Sequence, residues 1–550
     1  MRLTPRLAVA FATAFLMLAP TFSRALADDK KDDKKEEKTA TAAEKEKALY
    51  AESTTQGTVD VGGQHIAYTA VVGVLTVASN DNDDSQLGLD GKPLPGSQLA
   101  LDEPKEPKDA NPTARMSYVA YFKKDAKAED RPITFFYNGG PGAATVWLHM
   151  GSLGPKHVVT EGDQHLPAAP YKLTDNDQSL LDTSDLVFID MPGTGFGRLL
   201  GKDAGKAFWG IDEDANAFAR FIVRFTTKFN RWNSPKFIFG ESYGTTRSAV
   251  LADILQNNKN LDLNGVILLS QIFNFTTDID DPAGNPGVDL PYILALPTYA
   301  ATAWYHKKLP NQPAALDSFL KEVEEYAMGP YSHALALGTD LSESEKQSVA
   351  EKLHQYAGLP VAYWIKANLR VSGGEFTKTL QDDENLTTGR LDTRFSGPTL
   401  DPLSQGAEYD PQSSAIASAY VSLFNDYVRG ELKYGEGQTY LDHALFSGTR
   451  WDEKHNGRTA STNVTNDLAE ALKTNPRLKV MVNGGYYDLA TPFFAAQYED
   501  KHLPIPQSLA KNIEYDWYES GHMVYVRDES LKQLHDRVAA FIKSTLADNK

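Results

Sequence analysis

Apolar and polar positions alternate along the chain with two different periods. Gly57 to Tyr68 reads as a β-hairpin turning at Gly62-Gly63. Residues 80–112, rich in Asn, Asp, Gly and Pro, read as a loop. Met116–Phe122 and Ile133–Tyr137 are strand-like, and Leu186–Ile189 is a short apolar run of the kind found in buried strands. Over residues 213–229 the period changes. Ala215, Phe218, Ile222, Phe225 and Phe229 recur every three or four positions and predict an amphipathic helix. Phe237–Phe239 and Val266–Leu269 predict strands, with a helix over Arg247–Leu255 between them. Val480–Val482 and Ile513–Trp517 predict two late strands, followed by a helix carrying Leu531, Leu534, Val538, Phe541, Ile542 and Leu546.

Strand–helix alternation of this kind implies an α/β class, with a mostly parallel sheet and helices on both faces. The alternation breaks between 276 and 440, where an aromatic-rich and mainly helical pattern is interrupted by Pro and Gly. We read that stretch as a cap inserted over the sheet. The folded chain then divides into a core over 56–275, the cap over 276–440 and the rest of the core over 441–550. Its cap aromatics Tyr299, Trp304, Tyr305, Tyr363 and Trp364 are candidate pocket walls, although such residues more often fill a core.

The start of the chain has a different character. Arg2 and Arg6 precede an apolar run from Leu7 to Ala19, and Ala25-Leu26-Ala27 supplies small residues for cleavage. This pattern predicts a signal peptide over 1–27. The run is too short to span a bilayer comfortably, and no later stretch reaches 18 uninterrupted apolar residues. Asp28 to Lys38 alternates acids with bases and has no apolar face, so 28–55 is expected to be a charged, flexible leader.

Charge narrows the set of partners. The formal charge is −18, and loss of the first 27 residues removes three arginines and no acid, leaving −21. Such a surface argues against nucleic acid or an anionic membrane as a partner. The absence of cysteine excludes disulfide scaffolds, thiol nucleophiles, cysteine-ligated metal sites and cysteine-linked lipids. An exported chain without cysteine fits a periplasmic or extracellular setting, of a bacterium rather than a eukaryotic secretory route.

The strongest chemical signal is Gly240-Glu241-Ser242-Tyr243-Gly244, which stands between a predicted strand and a predicted helix. That context suits a nucleophile elbow, a turn so sharp that the serine hydroxyl is pushed outward. In the α/β-hydrolase fold an acid and then a histidine follow the serine in the chain. Among twelve histidines, His522 stands out because Gly521-His522-Met523 follows a predicted strand. Asp488 ends a second strand–turn segment, Val480 to Asp488, 34 residues earlier. Asn138-Gly139-Gly140-Pro141-Gly142 also follows a strand, where backbone N–H groups can face a developing oxyanion. The alternative for that loop is a phosphate cradle, but no Gly-Lys-Ser/Thr follows it. The run Gly193 to Gly197 lacks the dinucleotide-binding spacing as well.

Together these four segments resemble the serine carboxypeptidase family, whose members carry Trp-x-Asn-Gly-Gly-Pro-Gly, Gly-Glu-Ser-Tyr, Gly-Asp-x-Asp and Gly-His-Met in this order. The counterparts here are Phe136–Gly142, Gly240–Gly244, Gly485–Asp488 and Gly521–Met523. Asp190-Met191-Pro192-Gly193 is similar to the family's loop ahead of the nucleophile. The resemblance implies an α/β-hydrolase fold with no cofactor and no metal, acting on peptides with a free C-terminus. It implies Ser242 as nucleophile, His522 as base, Asp488 as orienting acid, and an oxyanion hole from the N–H groups of Gly140 and Tyr243. Asn138, Gly139 and Glu241 would bind the substrate carboxylate, and Met523 would line the leaving-residue pocket. Because a protonated carboxyl can donate to an anion, an acidic pH optimum is expected. Five positions depart from the family pattern: Phe136 for Trp, Tyr486 for the first Asp of Gly-Asp-x-Asp, Ala143 for a disulfide cysteine, Ser152 for a second carboxyl, and Tyr525 for Pro. An esterase or acyltransferase with the same triad, or a binding protein with little turnover, are the competing readings.

Overall fold

The computed structural model describes residues 48–101, 109–446, 450–458 and 461–548. The expected signal peptide and most of the expected leader lie outside the described residues. The first strand, β1 (Ser53–Val61), opens inside the range expected of the leader. It pairs antiparallel with β2 (Gln64–Ala78) across the Gly62-Gly63 turn. Both glycines have positive φ, +54° and +79°, as a tight two-residue hairpin turn requires.

Among the described residues eight further strands complete the main sheet. They are β3 (Thr113–Lys123), β4 (Ile133–Tyr137), β5 (Asp185–Ile189), β6 (Arg198–Leu200), β7 (Lys236–Glu241), β8 (Gly265–Leu269), β9 (Lys479–Gly485) and β10 (Ile513–Tyr518). The spatial order is β1-β2-β3-β5-β4-β7-β8-β9-β10, with β6 beside β3. The six strands from β5 to β10 along that path run parallel, and β1, β2, β3 and β6 pair antiparallel. A mostly parallel sheet with this crossover pattern is the α/β-hydrolase architecture expected from the sequence.

The inner parallel strands β4, β5, β7 and β8 are buried on both sides because both faces are covered, whereas the edge strand β10 carries Glu514 and Asp516. Phe135, Val187, Ile238, Val266 and Val480 join one cluster with the helices α1 (Ile211–Lys228), α2 (Tyr243–Asp253) and α5 (Thr465–Thr474). Phe136, Phe188, Phe239, Ile267 and Met481 face the other way, toward α4 (Pro411–Gly430) and α6 (Asp528–Asp548). α1 follows the predicted apolar stripe, and Phe221, Phe225 and Phe229 set their rings against the edge of Tyr118. Burying each such side chain is worth about 1.5–3 kcal/mol. α2 starts at Tyr243, four residues before the predicted start. Its first turn is the elbow itself, where Thr245 and Thr246 interrupt the apolar period.

Residues 276–440 hold α3 (Leu290–Tyr305), α4 and several shorter helices, with one small antiparallel pair, Leu386–Thr388 with Ser396–Pro398. The apolar side chains of α3 and the shorter helices form a third cluster, which also takes in Tyr487, Leu489 and Phe493, whereas α4 packs with the sheet. Tyr299 and Trp364 are buried within it, and Tyr299 stacks on Phe376. Those two candidate pocket walls are core residues, while Trp304, Tyr305 and Tyr363 are only partly buried. Among the described residues no helix is long and apolar enough to cross a membrane.

Candidate functional site

Ser242 stands at the junction of β7 and α2 with φ +62° and ψ −132°, a strained conformation for a residue with a Cβ. Hydrogen bonds on both sides hold it there. Its N–H donates to Leu269 O (3.0 Å), and its carbonyl accepts from Thr245 N (2.8 Å) and Thr245 Oγ1 (2.7 Å). A Cβ on Gly240 would overlap Gly244 O and Ser248 Oγ, so the turn closes only with glycine at that position.

Two other strand ends bring the acid and the histidine together. Asp488 follows β9 and His522 follows β10, at the carboxyl edge of the sheet, where such sites form. Asp488 Oδ2 lies 2.8 Å from His522 Nδ1, with the acid fully buried and the histidine 4% exposed. The acid is further held by Ala490 N (2.9 Å), Thr491 N (3.0 Å) and Thr491 Oγ1 (2.7 Å). Burial disfavours a charged imidazole, but the Asp488 carboxylate outweighs it, with help from Glu241, and the pKa of His522 is raised. With Nδ1–H given to Asp488, Nε2 is free to take a proton. Among the described residues no hydrogen bond links Ser242 Oγ to this ring, a gap common before substrate binds.

The loop after β4 packs directly on the elbow. A Cβ on Gly139 would overlap Tyr243 N and lie 2.5 Å from Gly244 N, so this approach also requires glycine. Arg247 ties the two together from behind. Its Nη1 donates to Asn138 O (2.8 Å) and its Nε to Asp214 Oδ2 (2.6 Å), with both charged side chains fully buried. Gly140 is exposed beside this junction, at φ +107°. Ala143, which stands where the resembled family carries a disulfide cysteine, is held by backbone. It bridges to His443, and Ala144 N donates to Asp442 O (2.9 Å).

Glu241 is 3% exposed, and burial pushes its pKa up to about 7 against the opposing pull of His522 and Tyr525. Tyr525 Oη donates to Glu241 Oε2 at 2.9 Å, with Asn138 adjoining both groups. Asn138 Oδ1 accepts from Leu148 N (3.0 Å). In the sequence Tyr525 stands out only as a departure from Pro; the signal it offers is that a buried phenol needs a polar partner. Ser152 Oγ turns away to Leu148 O (2.5 Å). Phe136 stacks between Phe188 and Phe239 as core, and Tyr486 packs edge-on to Phe493. Met523 is buried, with Gln412 Nε2 3.2 Å from its sulfur.

The model of the serine carboxypeptidase family matches residues 108–535. The chain belongs to the serine carboxypeptidase family. Curated relatives of the family match shorter stretches. A serine carboxypeptidase-like protein of Oryza sativa subsp. japonica is 28% identical over 31% of this chain and 37% of its own length. A pheromone-processing carboxypeptidase of Saccharomyces cerevisiae is 33% identical over 25% of this chain and 18% of its own. Carboxypeptidase Y homolog A of Phaeosphaeria nodorum is 26% identical over 34% of this chain and 33% of its own. The matches thus span about a third or less of these relatives, all of them eukaryotic, so they lend nothing to the expectation of a bacterial source. A proline iminopeptidase of Mycobacterium smegmatis aligns over 90% of this chain and all of its own at 13% identity, with a TM-score of 0.32. At that score the sheet order above is what carries the fold.

Proposed function

We propose that the protein is a serine carboxypeptidase, exported by way of residues 1–27, with 276–440 as a cap over the site. The observation that carries this reading is the Asp488–His522 hydrogen bond at the same sheet edge as the strained elbow serine. Ser242 Oγ attacks the scissile carbonyl carbon while His522 Nε2 takes its proton. The N–H groups of Gly140 and Tyr243 receive the charge that builds on the carbonyl oxygen. The tetrahedral adduct collapses as His522 returns the proton to the leaving nitrogen, releasing the C-terminal residue. Water, deprotonated by the same ring, then cleaves the acyl-enzyme and restores Ser242. Asp488 fixes the tautomer and stabilises the imidazolium.

Asn138, Gly139 and Glu241 read the free carboxylate, and Met523 lines the leaving-residue pocket. Glu241 keeps its proton below about pH 7, so it can donate to an anion across the acidic range. A peptide-cleavage maximum above pH 8 would count against it.

One observation favours a second reading, hydrolysis or transfer of small acyl groups. Ser152 is tied to its own helix and Glu241 already has Tyr525, which leaves less to read a free carboxylate. Blocked dipeptides and p-nitrophenyl esters, assayed side by side, separate the two. Ester turnover without release of any C-terminal residue would leave only the second. In both cases Ser242→Ala should lower kcat by about 10⁴-fold or more.

A further inference from the structure

β9 and β10 hold their loops together only as far as the sheet and its first extensions. Their ladder ends at the Gly485–Tyr518 pair, followed by Tyr486 N to Tyr518 O (2.9 Å) and Tyr487 N to Ser520 O (3.1 Å). Asp488 and His522 lie just beyond these bonds. There a segment from between α3 and α4 takes over.

Residues Arg390 to Arg394 cross both loops. Leu391 O accepts the His522 N–H at 2.7 Å, and Arg390 O accepts the Leu489 N–H at 3.1 Å. Thr393 N (2.9 Å) and Thr393 Oγ1 (3.1 Å) both donate to Tyr487 O. Arg394 Nη2 reaches Ser520 Oγ at 3.2 Å. Both chain neighbours of Asp488 and the backbone of His522 are therefore bound to one run of five residues. The buried Asp392–Arg394 pair closes the crossing, because Asp392 packs where a Cβ on Gly521 would stand.

The run is itself anchored at both ends. Asp410 Oδ2 accepts from Arg390 N (2.7 Å) and Leu391 N (2.8 Å), while Asp410 Oδ1 accepts from Ser413 N (2.7 Å) and caps α4. From α3 and its C-cap, Thr302 Oγ1 meets Thr393 Oγ1 (2.6 Å), and His306 Nε2 meets Thr393 O (2.6 Å).

We propose that Arg390–Arg394 is a strap that sets the spacing of the Asp488 and His522 loops, with Asp410 as a positioning residue that holds the strap. The inference rests on the catalytic reading given above. It makes the 276–440 region a working part of the catalytic geometry rather than a cover, since small displacements of reacting groups cost large factors in rate.

Asp410→Asn tests it in the full-length chain. The Asn carbonyl can keep the α4 cap, but its NH₂ faces the two strap N–H donors and cannot accept from them. The expected result is a fall of about 10–100-fold in kcat on a p-nitrophenyl ester with KM within about two-fold. The rate of Ser242 labelling by a fluorophosphonate should fall in parallel. If Asp410→Asn does not fold, Thr393→Val, which keeps the backbone and loses only Oγ1, should show the same split at about 3-fold. Unchanged kcat and labelling rate overturn the strap, as does a rise in KM alone. A wild-type enzyme in which Ser242 resists labelling overturns the catalytic reading, and the strap with it.

Discussion

Replacing Glu241 by Gln tests how the buried carboxyl is held. Burial pushes its pKa from 4.5 to about 7, while the His522 charge and the Tyr525 hydroxyl pull the other way. Each unit is worth 1.36 kcal/mol, so ionising this group in the folded protein costs about 3 kcal/mol more than in the unfolded chain. The folded-state pKa is the higher one, so its contribution to stability is complete below about pH 4.5. It is lost as pH rises through about 7, because the unfolded chain gives up the proton first. Gln cannot ionise, and it can still accept from Tyr525. The stability of Glu241→Gln relative to wild type should therefore increase by about 3 kcal/mol between pH 4 and pH 8. Urea denaturation followed by tryptophan fluorescence measures this at matched m-values. Asp190 and Glu499, raised by burial to about 6 and 7, titrate alike in both proteins and cancel. A stability difference that stays flat across that range would refute the account of Glu241 as a buried, desolvated acid.

Tyr525→Phe removes a hydrogen bond that favours the ionised form of Glu241, so the pH at which KM for free-carboxylate peptides begins to rise should move upward, read from KM–pH profiles. Gly139→Ala drives a methyl into the backbone of Tyr243 and Gly244; kcat should fall on the order of 10²–10³-fold, as expected when an oxyanion donor is displaced. His455 lies between Asp212 Oδ1 (2.7 Å) and Asp467 Oδ2 (2.9 Å), which overcome burial and raise its pKa to about 9. Its contribution is complete below about pH 6.5 and is lost as pH rises through about 9. His455→Gln should then be less stable than wild type by about 1–3 kcal/mol at pH 6, with the gap closing by pH 10 in urea melts.

Much of the core was legible because its signals are local. The inner parallel strands β4, β5, β7 and β8 each contain a short apolar run, and α1 with its C-cap Phe229 declares itself through five apolar positions on one face. The elbow could be read because Gly240, Ser242 and Gly244 meet within one turn. The boundaries of α2 were missed where the elbow and the helix share residues. Beyond the Asp488–His522 pairing, the partners of the site residues were not legible. Tyr525 reaches Glu241 across 284 residues, and no periodicity encodes that approach. Ser152 could be noted as a missing carboxyl, but its turn toward Leu148 O depends on the helical path of Val146–Gly151. Arg390–Arg394 carries no motif, and its work is done mostly by backbone carbonyls and N–H groups, which every residue type shares.

The sequence by itself determined the chemistry on offer: one elbow serine, an acid and a histidine after later strands, and a glycine loop able to approach the elbow. It also determined the sheet class, because strand and helix periods follow from neighbouring residues. Only the tertiary structure decided the distance at which Asp488 meets His522, that Glu241 is desolvated and partnered by a phenol, and that Arg390–Arg394 hydrogen-bonds to the loops that carry both. Those outcomes depend on burial and on contacts between residues hundreds of positions apart. Desolvation and hydrogen-bond geometry exist only once the chain has packed.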